Sequence, residues 1–507
     1  MQSVVTWPTI PAMVRDAARR FGAAEAVVDG PRRVSYPDLS DAVTDAARAL
    51  LACGIERGDR VALWAPNSLE WIVAALGITT AGGVLVPVNT RFRGAEAGYV
   101  LGRSGARVLF TVRGFLDTDY PALLAEAGVE LPALGHTVLL AGEPGDGAVG
   151  WRDFVARGET VERDDVDARI ESIGPDDPSD VVFTSGTTGD PKGVVMNHWQ
   201  TLRAYLDWCD WSGLRTGDRY LIVNPFFHIF GYKAGLLASL MRGATIYPVP
   251  VFDPSAVLEL VARERITVFP GPPTIYQTLL DHPDRGRHDI STLRLAVTGA
   301  ADIPVELIRR VRQELPFERI LTGYGLTEAG TVTGSGPDDD FEHIAATVGL
   351  PWPGFEIRTV DESNAATPPG EPGEVVIRGE TVMRGYLDDP DATAAAIDSD
   401  GFLHTGDLGS FDEDGYLRIV GRIRTCSSWV VSTPTPPRSR TSCCDIRASR
   451  RSPSSVSPMR GSARSVWRSS CSNPDRRSTP QQSSSGLVAR WRTSRCRASS
   501  SSSTRCP

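Results

Sequence analysis

One stretch of the chain, Asp180–Gly193, constrains the fold more than any other. Its sequence is D-V-V-F-T-S-G-T-T-G-D-P-K-G, an apolar strand-like segment that opens into a loop of small residues closed by Lys192. Glycines let consecutive backbone N–H groups point into one concavity, and hydroxyl and ammonium groups add further donors. These are the groups needed to hold a polyphosphate. The alternative is a Ser/Thr/Gly linker between domains, but a linker is not expected to follow a buried-strand pattern.

The composition is that of a globular chain with an acidic balance. The 507 residues suffice for roughly two to four domains, and the net charge of −9 argues against a nucleic-acid surface. The N-terminus lacks the basic-then-apolar layout of a signal peptide. The longest uncharged stretch, Trp71–Val88, contains Thr-Thr and Gly-Gly pairs, so it predicts a helix and then a buried strand, not a membrane span. We expect a cytoplasmic protein without a transmembrane segment.

Strands and helices alternate before and after Asp180–Gly193, whereas residues 112–179 show less pattern. Apolar runs separated by helical patterns indicate βαβ units with largely parallel sheets. The polar motifs follow the carboxyl ends of strands, where open α/β sheets bind ligands. The predicted strands are Arg60–Trp64, Val84–Val88, Arg107–Thr111, Val181–Phe183, Tyr220–Val223, Ala244–Val249, Thr267–Phe269, Leu293–Thr298 and one beginning at Ile320. The predicted helices include Ser68–Thr80, Ala95–Arg103 and Pro254–Arg263.

From about Gly349 the pattern changes to short strands and Gly/Pro turns, which predicts a small β-rich subdomain. The predicted fold class is therefore α/β, with two parallel-sheet βαβ subdomains and a small β-rich one. Four segments are predicted: a first α/β subdomain with a connecting segment, a second α/β subdomain, the β-rich subdomain and a disordered Ser/Arg-rich tail. Their ranges are 1–179, 180–348, 349–424 and 425–507.

The loop lacks the G-x-x-x-x-G-K-S/T spacing of a Walker A loop. Its T-S-G-T-T-G-x-P-K-G pattern instead resembles the phosphate loop of the adenylate-forming superfamily, which includes acyl-CoA synthetases, luciferases and the adenylation domains of peptide synthetases. Tyr324–Glu328, Y-G-L-T-E, resembles the motif in which the tyrosine stacks on adenine, the threonine meets the α-phosphate and the glutamate holds Mg²⁺. An aromatic face suits a purine, and a carboxylate beside phosphate needs a hard cation between them. The alternative for Glu328 is a carboxylate favoured by a helix N-terminus.

Further residues match the superfamily in order. Gly299-Ala300-Ala301 resembles its adenine-binding turn, although a plain strand-to-helix turn has the same composition. Asp407 resembles the aspartate that accepts both ribose hydroxyls, and Arg422 resembles the arginine beside it; an acceptor-only carboxylate suits a vicinal diol. The nucleotide-binding set that the resemblance implies is Ser185, Gly186, Thr187, Thr188, Gly189, Gly299, Ala300, Ala301, Tyr324, Gly325, Asp407 and Arg422.

His228 lies in an aromatic Pro-Phe-Phe-His segment that resembles the superfamily region near the carboxylate and the acyl tunnel. The alternative is a core histidine with satisfied hydrogen bonds, and Lys233 reaches either the acyl pocket or solvent. The implied catalytic residues are Thr184, Lys192, His228, Thr327 and Glu328, with Glu328 as the metal ligand. The implied substrate-contacting residues are Phe227, His228, Tyr232, Lys233 and Gly323.

The resemblance implies an enzyme that uses ATP, Mg²⁺ and coenzyme A. A substrate carboxylate attacks the α-phosphate of ATP, and a thiol then takes the acyl group from the acyl-adenylate. The segments 224–235 and 270–276 are similar to actinobacterial fatty-acid-type acyl-CoA ligases, among them those that act on the ring-derived propanoate of steroid breakdown. Two alternatives stay open: an adenylation enzyme that loads a carrier protein, and a non-functional product of a damaged gene. The sequence does not indicate an oligomeric state.

The end of the chain departs from the superfamily. Residues 426–507 contain 25 serines, 15 arginines and six of the eight cysteines, with no lysine and no periodicity. At this place the superfamily carries a mobile domain that supplies a catalytic lysine. Restoring one G before the codon for Thr425 turns a GC-rich reverse translation of Arg424–Trp429 into Arg-Asp-Met-Phe-Ile-Val, which resembles the hinge of that domain. The sequence therefore predicts a frameshift, a native C-terminal α+β domain that is not encoded in frame, and impaired ligase activity.

Overall fold

The computed structural model of the protein describes residues 4–145, 147–184, 190–299 and 304–423. The predicted loop residues 185–189, the predicted turn residues 300 and 301, and the tail from residue 424 onwards lie outside these ranges. Among the helices in the described ranges, none combines the length and the apolar character needed to cross a membrane.

A nine-stranded mixed sheet carries the Asp180–Gly193 stretch. Six of its strands run parallel, and the two strands at one edge, together with a short flanking strand, run antiparallel. The spatial order is β19 (Gly385–Tyr386), β10 (Lys192–Asn197), β9 (Pro178–Thr184), β4 (Val84–Pro87), β3 (Arg60–Trp64), β5 (Val108–Phe115), β7 (His136–Ala141) and β8 (Ala148–Gly150), with β6 (Thr118–Asp119) beside β5.

A second sheet combines two strands from residues 25–35 with strands from residues 219–351. The spatial order is β2 (Arg32–Ser35), β1 (Glu25–Asp29), β12 (Thr245–Pro248), β11 (Arg219–Ile222), β13 (Leu295–Gly299), β14 (Arg319–Leu326), β15 (Gly330–Gly334) and β16 (Leu350–Pro351). Val268 joins β11 to β13 by parallel bridges to Tyr220 and Leu295. The strand predicted at Thr267–Phe269 is therefore reduced to one bridging residue. The strands from β1 to β14 in this order are parallel, and the outer ones are antiparallel.

A third, antiparallel sheet follows in the chain. It consists of β17 (Phe355–Val360), β18 (Gly373–Gly379), β20 (Leu403–Phe411) and β21 (Leu417–Arg422), in that spatial order. This sheet is the β-rich subdomain that the turn-rich sequence predicts. The α/β fold class with two parallel-sheet regions and a β-rich region is thus confirmed for the described residues.

The helices pack around these sheets. They are α1 (Ile10–Phe21), α2 (Tyr36–Ala52), α3 (Leu69–Thr80), α4 (Gly94–Ser104), α5 (Tyr120–Glu126), α6 (Trp151–Arg157), α7 (Arg163–Ser172), α8 (His198–Ser212), α9 (Ile229–Gly231), α10 (Ala238–Arg242), α11 (Pro254–Glu264), α12 (Pro273–Leu280), α13 (Val305–Glu314), α14 (Phe341–Ala346) and α15 (Pro390–Ala396). Two 3₁₀ turns, Gly158–Thr160 and Arg285–Arg287, and a π-helical turn, Tyr232–Leu237, complete them.

The uncharged stretch of the sequence forms the centre of the core. Ser68 caps α3 by accepting a hydrogen bond from Trp71 N at 3.1 Å, and every residue from Trp71 to Thr80 is buried. β4 follows directly and is also buried. A helix that is apolar on all sides must be enclosed by protein or lipid. Here the enclosure is protein, so the predicted helix and strand are confirmed.

The predicted boundary between residues 179 and 180 falls inside β9. β9 pairs with β4 on one side and with β10 on the other, and β1 pairs with β12. Strands from both predicted α/β segments therefore share both large sheets, because strand pairing does not follow chain order. Residues 112–179, which show little pattern in the sequence, contribute β7 and β8 to the nine-stranded sheet. The described residues belong to one compact unit.

Candidate active site

The phosphate-loop stretch forms a hairpin between β9 and β10. Thr184 and Lys192 lie opposite each other at its open end, and the Thr184 hydroxyl lies 3.5 Å from the Lys192 carbonyl oxygen. The Tyr99 hydroxyl donates to the Pro191 carbonyl at 3.3 Å and so anchors the returning limb. The described ends of the loop are therefore fixed by the sheet and by α4, while residues 185–189 lie outside the described ranges.

Two predicted nucleotide-binding residues contact a third, Asp407, directly. The Tyr324 hydroxyl donates to Asp407 Oδ2 at 2.6 Å, and Arg422 Nε lies 3.0 Å from Asp407 Oδ1. Burial raises the pKa of Tyr324, and the charge of Asp407 raises it further. A carboxylate has about four lone-pair sites, so Asp407 retains acceptor capacity for hydroxyl donors. An aromatic ring and a carboxylate thus lie side by side at the rim of two sheets.

The Thr405-Gly406-Asp407 segment is held in place by its neighbours. The Thr405 hydroxyl donates to Val375 O at 2.7 Å and accepts from Asp407 N at 3.1 Å. Glu374 accepts from Gly406 N at 3.0 Å. Gly406 has a φ of +71°, a conformation that favours glycine. The backbone therefore sets the direction of the Asp407 side chain.

Glu328 lies in the tight turn between β14 and β15, and its side chain is half-buried. Desolvation raises the pKa of its carboxyl group, and the hydroxyl of Tyr386 donates to Oε1 at 3.2 Å. The charges of Arg422 and Asp407 also act on the Glu328 pKa, which links this carboxylate electrostatically to the Tyr324–Asp407–Arg422 cluster. Thr327, its predicted catalytic neighbour, lies in the same turn and is half-buried. A half-buried carboxylate with a raised pKa is a group that a bound cation would stabilise.

Lys192 lies against the same tyrosine as Glu328. Its ammonium nitrogen is 4.9 Å from the ring centroid of Tyr386. Tyr386 was not predicted from the sequence, because a Gly-Tyr pair alone indicates no function. In the structure it lies in the two-residue strand β19. Within the described ranges it is the residue that joins the predicted phosphate lysine to the predicted metal ligand.

Gly299 and Gly323 are register partners at the ends of β13 and β14. A Cβ atom at Gly323 would lie 2.8 Å from the carbonyl oxygen of Thr333 and 3.5 Å from the Trp211 ring, and one at Gly325 would lie 2.5 Å from Gly330 O. Both positions therefore require glycine. A Cβ atom at Gly323 would thus be in van der Waals contact with the Trp211 indole.

His228 caps the short helix α9. Its Nδ1 atom accepts a hydrogen bond from Phe230 N at 3.1 Å, so the proton of the neutral ring is assigned to Nε2. The side chain reaches solvent although protein surrounds it, and this desolvation lowers the pKa of the imidazole. His228 is exposed and therefore is not a core histidine, and the hydrogen bond from Phe230 N to Nδ1 favours the neutral ring. Phe227, beside it, is half-buried.

Two predicted substrate-contacting residues, Tyr232 and Lys233, are buried. Tyr232 is fully buried, and its ring contacts Trp71 with a centroid distance of 5.7 Å. Lys233 is also buried, and its ammonium nitrogen lies 2.7 Å from Asp180 Oδ1 and 3.1 Å from the Thr201 hydroxyl. The π-helical turn directs both side chains into the core, so Lys233 does not reach solvent, and contact of either residue with the substrate stays a prediction. The aromatic spacing around His228 gives no sign of this turn.

Comparisons with known proteins show the family of the chain. The profile of the AMP-binding enzyme family matches residues 14–387. The chain belongs to the AMP-binding enzyme family. A methyl-dioxo-octahydroindenyl-propanoyl:CoA ligase of Mycobacterium tuberculosis is 49% identical over 417 residues, which cover 82% of this chain and 79% of that protein. The ligase of the same name from Rhodococcus jostii is 45% identical over 82% of this chain and 79% of its own length.

Solved structures of this AMP-binding enzyme's relatives share its fold. An anthranilate CoA ligase, AuaEII, in complex with anthranoyl-AMP has a TM-score of 0.74 at 26% identity, covering 83% of this chain and 79% of that one. The N-terminal domain of FACL13 from Mycobacterium tuberculosis has a TM-score of 0.72 at 29% identity, covering 82% of this chain and all of that one. The relatives are acyl-CoA ligases, so the chain is by family an AMP-forming acid–thiol ligase.

Proposed function

We propose that this AMP-binding enzyme uses Mg·ATP to activate a ring-bearing, apolar carboxylic acid and transfers the acyl group to coenzyme A. The contact of Tyr324 with Asp407 at 2.6 Å, with Arg422 at the other carboxylate oxygen, carries the proposal. An aromatic face beside an acceptor-only carboxylate suits adenosine, because the ring stacks on the purine and the carboxylate accepts from the ribose diol.

The phosphates are assigned to the neighbouring cluster. The Lys192 ammonium and the hydroxyls of Thr184 and Thr327 are the described donors for phosphate oxygens. The carboxylate of Glu328 fits Mg²⁺, because desolvation raises its pKa and because Mg²⁺ favours one carboxylate together with phosphate oxygens. When bound, Mg²⁺ neutralises phosphate charge, which lowers the repulsion that an incoming carboxylate meets. The loop residues 185–189 are proposed to donate backbone N–H groups to the same phosphates.

The two half-reactions, adenylation and thioester formation, need no reactant beyond ATP, the carboxylic acid and coenzyme A. A carboxylate oxygen of the substrate forms a bond to the α-phosphorus, and the bond from that phosphorus to the bridging oxygen breaks, so pyrophosphate leaves. The thiol sulfur of coenzyme A then attacks the acyl carbon, AMP leaves, and the thiol proton passes to solvent. In the first step Lys192 and Glu328 contribute mainly by position and charge. His228, held neutral, is proposed to orient the carboxylate through Nε2–H.

An apolar substrate with a ring is supported by the surface next to Gly323. The half-buried Trp211 indole faces Gly323, donates to Ser335 O at 2.8 Å and packs against Trp352 at 5.2 Å between centroids. A fixed aromatic wall suits a flat or fused apolar ring. The relatives that are 49% and 45% identical are named for a propanoate carried by a fused two-ring ketone. We therefore propose a ring-bearing propanoate as the substrate class.

Pyrophosphate release from the protein with its reading frame restored, measured with a panel of carboxylates, tests the substrate class. Fused-ring propanoates and medium-chain fatty acids are expected to outpace polar amino acids. A preference for polar amino acids would contradict the proposal and favour a carrier-loading enzyme. Coenzyme A and a carrier-protein thiol, compared as acceptors, distinguish these two functions directly.

A pair of glycine variants localises the acyl site. Gly323→Ala is expected to weaken carboxylate-dependent turnover, because the added methyl group crowds Thr333 O and contacts the Trp211 indole. Gly286→Ala is the matched control, since an added Cβ there meets no atom within 4 Å. Equal activity of the two variants would place the acyl group elsewhere.

The cytoplasm, which supplies ATP and coenzyme A, is the compartment that the proposal requires.

A further inference from the structure

Tyr386 is held rigidly at the edge of the nine-stranded sheet. It forms half of β19 and pairs with Val194 of β10, directly after Lys192 and Gly193. On its other side, its backbone N–H donates to the Thr393 hydroxyl at 2.9 Å. Gly385 before it has a φ of +149°, and a Cβ there would meet the Thr393 side chain at 2.9 Å. The backbone of Tyr386 is thus fixed by β10 and by α15 together.

The side chain of Tyr386 contacts two opposite charges with two different parts. Its hydroxyl donates to Glu328 Oε1 at 3.2 Å, and the face of its ring lies 4.9 Å from the ammonium nitrogen of Lys192. The hydrogen bond occupies one carboxylate oxygen and leaves Oε2 available. The ring attracts the ammonium by its quadrupole but, unlike a carboxylate, does not neutralise it. Lys192 therefore keeps its full charge for a phosphate.

These contacts bear on whether Lys192 and Glu328 pair with each other or stay available for ligands. Lys192 and Glu328 carry opposite charges and both contact Tyr386, and a direct ion pair between them would consume both groups. The neutral side chain of Tyr386 instead contacts each of them separately. Carboxylates that bind a metal are commonly oriented by such a hydrogen bond.

We propose that Tyr386 is a positioning residue that holds Glu328 for Mg²⁺ through its hydroxyl and Lys192 for the phosphates through its ring. The inference rests on the proposed function, because it concerns the same Mg·ATP site. It predicts that the two parts of the side chain have separable effects. The hydroxyl acts only on metal-dependent binding, whereas the ring acts on ATP binding with or without the metal.

Calorimetric titration of the full 507-residue chain with ATP, in Mg²⁺ and in EDTA, tests the separation. Tyr386→Phe keeps the ring and is expected to weaken binding of Mg·ATP by about tenfold, the low end of the range for residues that orient a metal ligand, with binding in EDTA unchanged. Tyr386→Leu removes the ring as well and is expected to weaken binding in EDTA by about threefold. Tyr416→Phe is the matched control, because it removes a tyrosine hydroxyl that donates to Asp339 at 2.8 Å in another part of the fold.

The outcomes separate the two proposals. If the unmodified chain binds ATP in neither condition, the proposed function fails. If the unmodified chain binds Mg·ATP and Tyr386→Phe binds it equally well or more tightly, the positioning role is refuted. Equal losses in Mg²⁺ and in EDTA for Tyr386→Phe, or an equal loss in Tyr416→Phe, would show general destabilisation and would likewise overturn the inference.

Discussion

The buried ion pair between Lys233 and Asp180 gives a quantitative test of how β9 is anchored. Lys233 Nζ lies 2.7 Å from Asp180 Oδ1, and both side chains are at most 2% exposed. The Ser179 hydroxyl donates to Asp180 Oδ2 at 2.7 Å, and Thr201 lies 3.3 Å from the same atom. The pair thus joins the strand that leads into the phosphate loop to α8 and to the π-helical turn Tyr232–Leu237.

Removal of one charge leaves the other buried without compensation, which costs about 3–5 kcal/mol. Two hydroxyls remain beside Asp180, so Lys233→Met is expected at the low end, about 3 kcal/mol, and Asp180→Asn at a similar value. Removal of both charges abolishes the uncompensated charge. The double variant is therefore expected to lose no more than either single variant, which gives a coupling of about 3 kcal/mol.

Urea titration followed by tryptophan fluorescence measures the free energy of unfolding of the unmodified protein, the two single variants and the double variant. The exposed pair Arg163–Asp41, with side chains 53% and 65% exposed, supplies the control cycle of alanine variants. Its coupling is expected below about 1 kcal/mol, because solvent screens exposed charges. If the losses of Lys233→Met and Asp180→Asn simply add in the double variant, the pair contributes no coupling and the reasoning is wrong.

Three further outcomes are expected. Lys192→Ala and Glu328→Ala are each expected to weaken ATP use by about 1.5–3 kcal/mol, the range for a charge-assisted contact, and unchanged ATP titrations in both would contradict their assignment. His198 is buried, which lowers its pKa to about 4. Between this pH and about 6.5, His198 binds fewer protons in the folded protein than in the unfolded chain. The contribution of His198 to the free energy of unfolding is therefore full above about pH 6.5 and falls by about 3 kcal/mol as the pH drops to 4. His198→Gln is expected to remove this part of the pH dependence, and an unchanged slope of stability against pH would refute it. Resequencing of the codons for Arg424 to Cys426 is expected to reveal one additional G; an unchanged sequence together with ordinary acyl-CoA formation by the 507-residue protein would disprove the frameshift.

The strands and helices that were predicted correctly are those with strong apolar patterns. β3 matches its prediction, and α3 and β4 differ from theirs by one residue at one end. α7 shows why few elements were predicted within residues 112–179. Only Val166 among its ten residues is buried, so the helix has no apolar stripe to detect. Its N-terminus is stabilised instead by a hydrogen bond from Glu162 N to Asp165, a local contact without periodicity.

The residues of the candidate site also fall into those that the sequence predicted and those that it did not. Tyr324, Asp407 and Arg422 were predicted because each lies in a short motif, and they contact one another in the structure. Tyr386 and the partner of Lys233 were not predicted, because both depend on which strands become neighbours. No local signal in the sequence states that β19 pairs with β10 or that a π-helical turn directs Lys233 towards Asp180.

The parallel pairing of β1 with β12 affects how the chain can fold during synthesis. Val27 of β1 has Ile246 as its partner, more than two hundred residues later in the chain. A ribosome adds about 5–20 residues per second, so the buried residues Ala26–Val28 wait roughly 10–40 s for their neighbour. During this interval an apolar strand has the antiparallel β2 on one side and an unpaired edge on the other. Such an edge is a template for pairing with other chains. The nascent protein is therefore most exposed to aggregation, and most dependent on chaperones, before residue 245 leaves the ribosome.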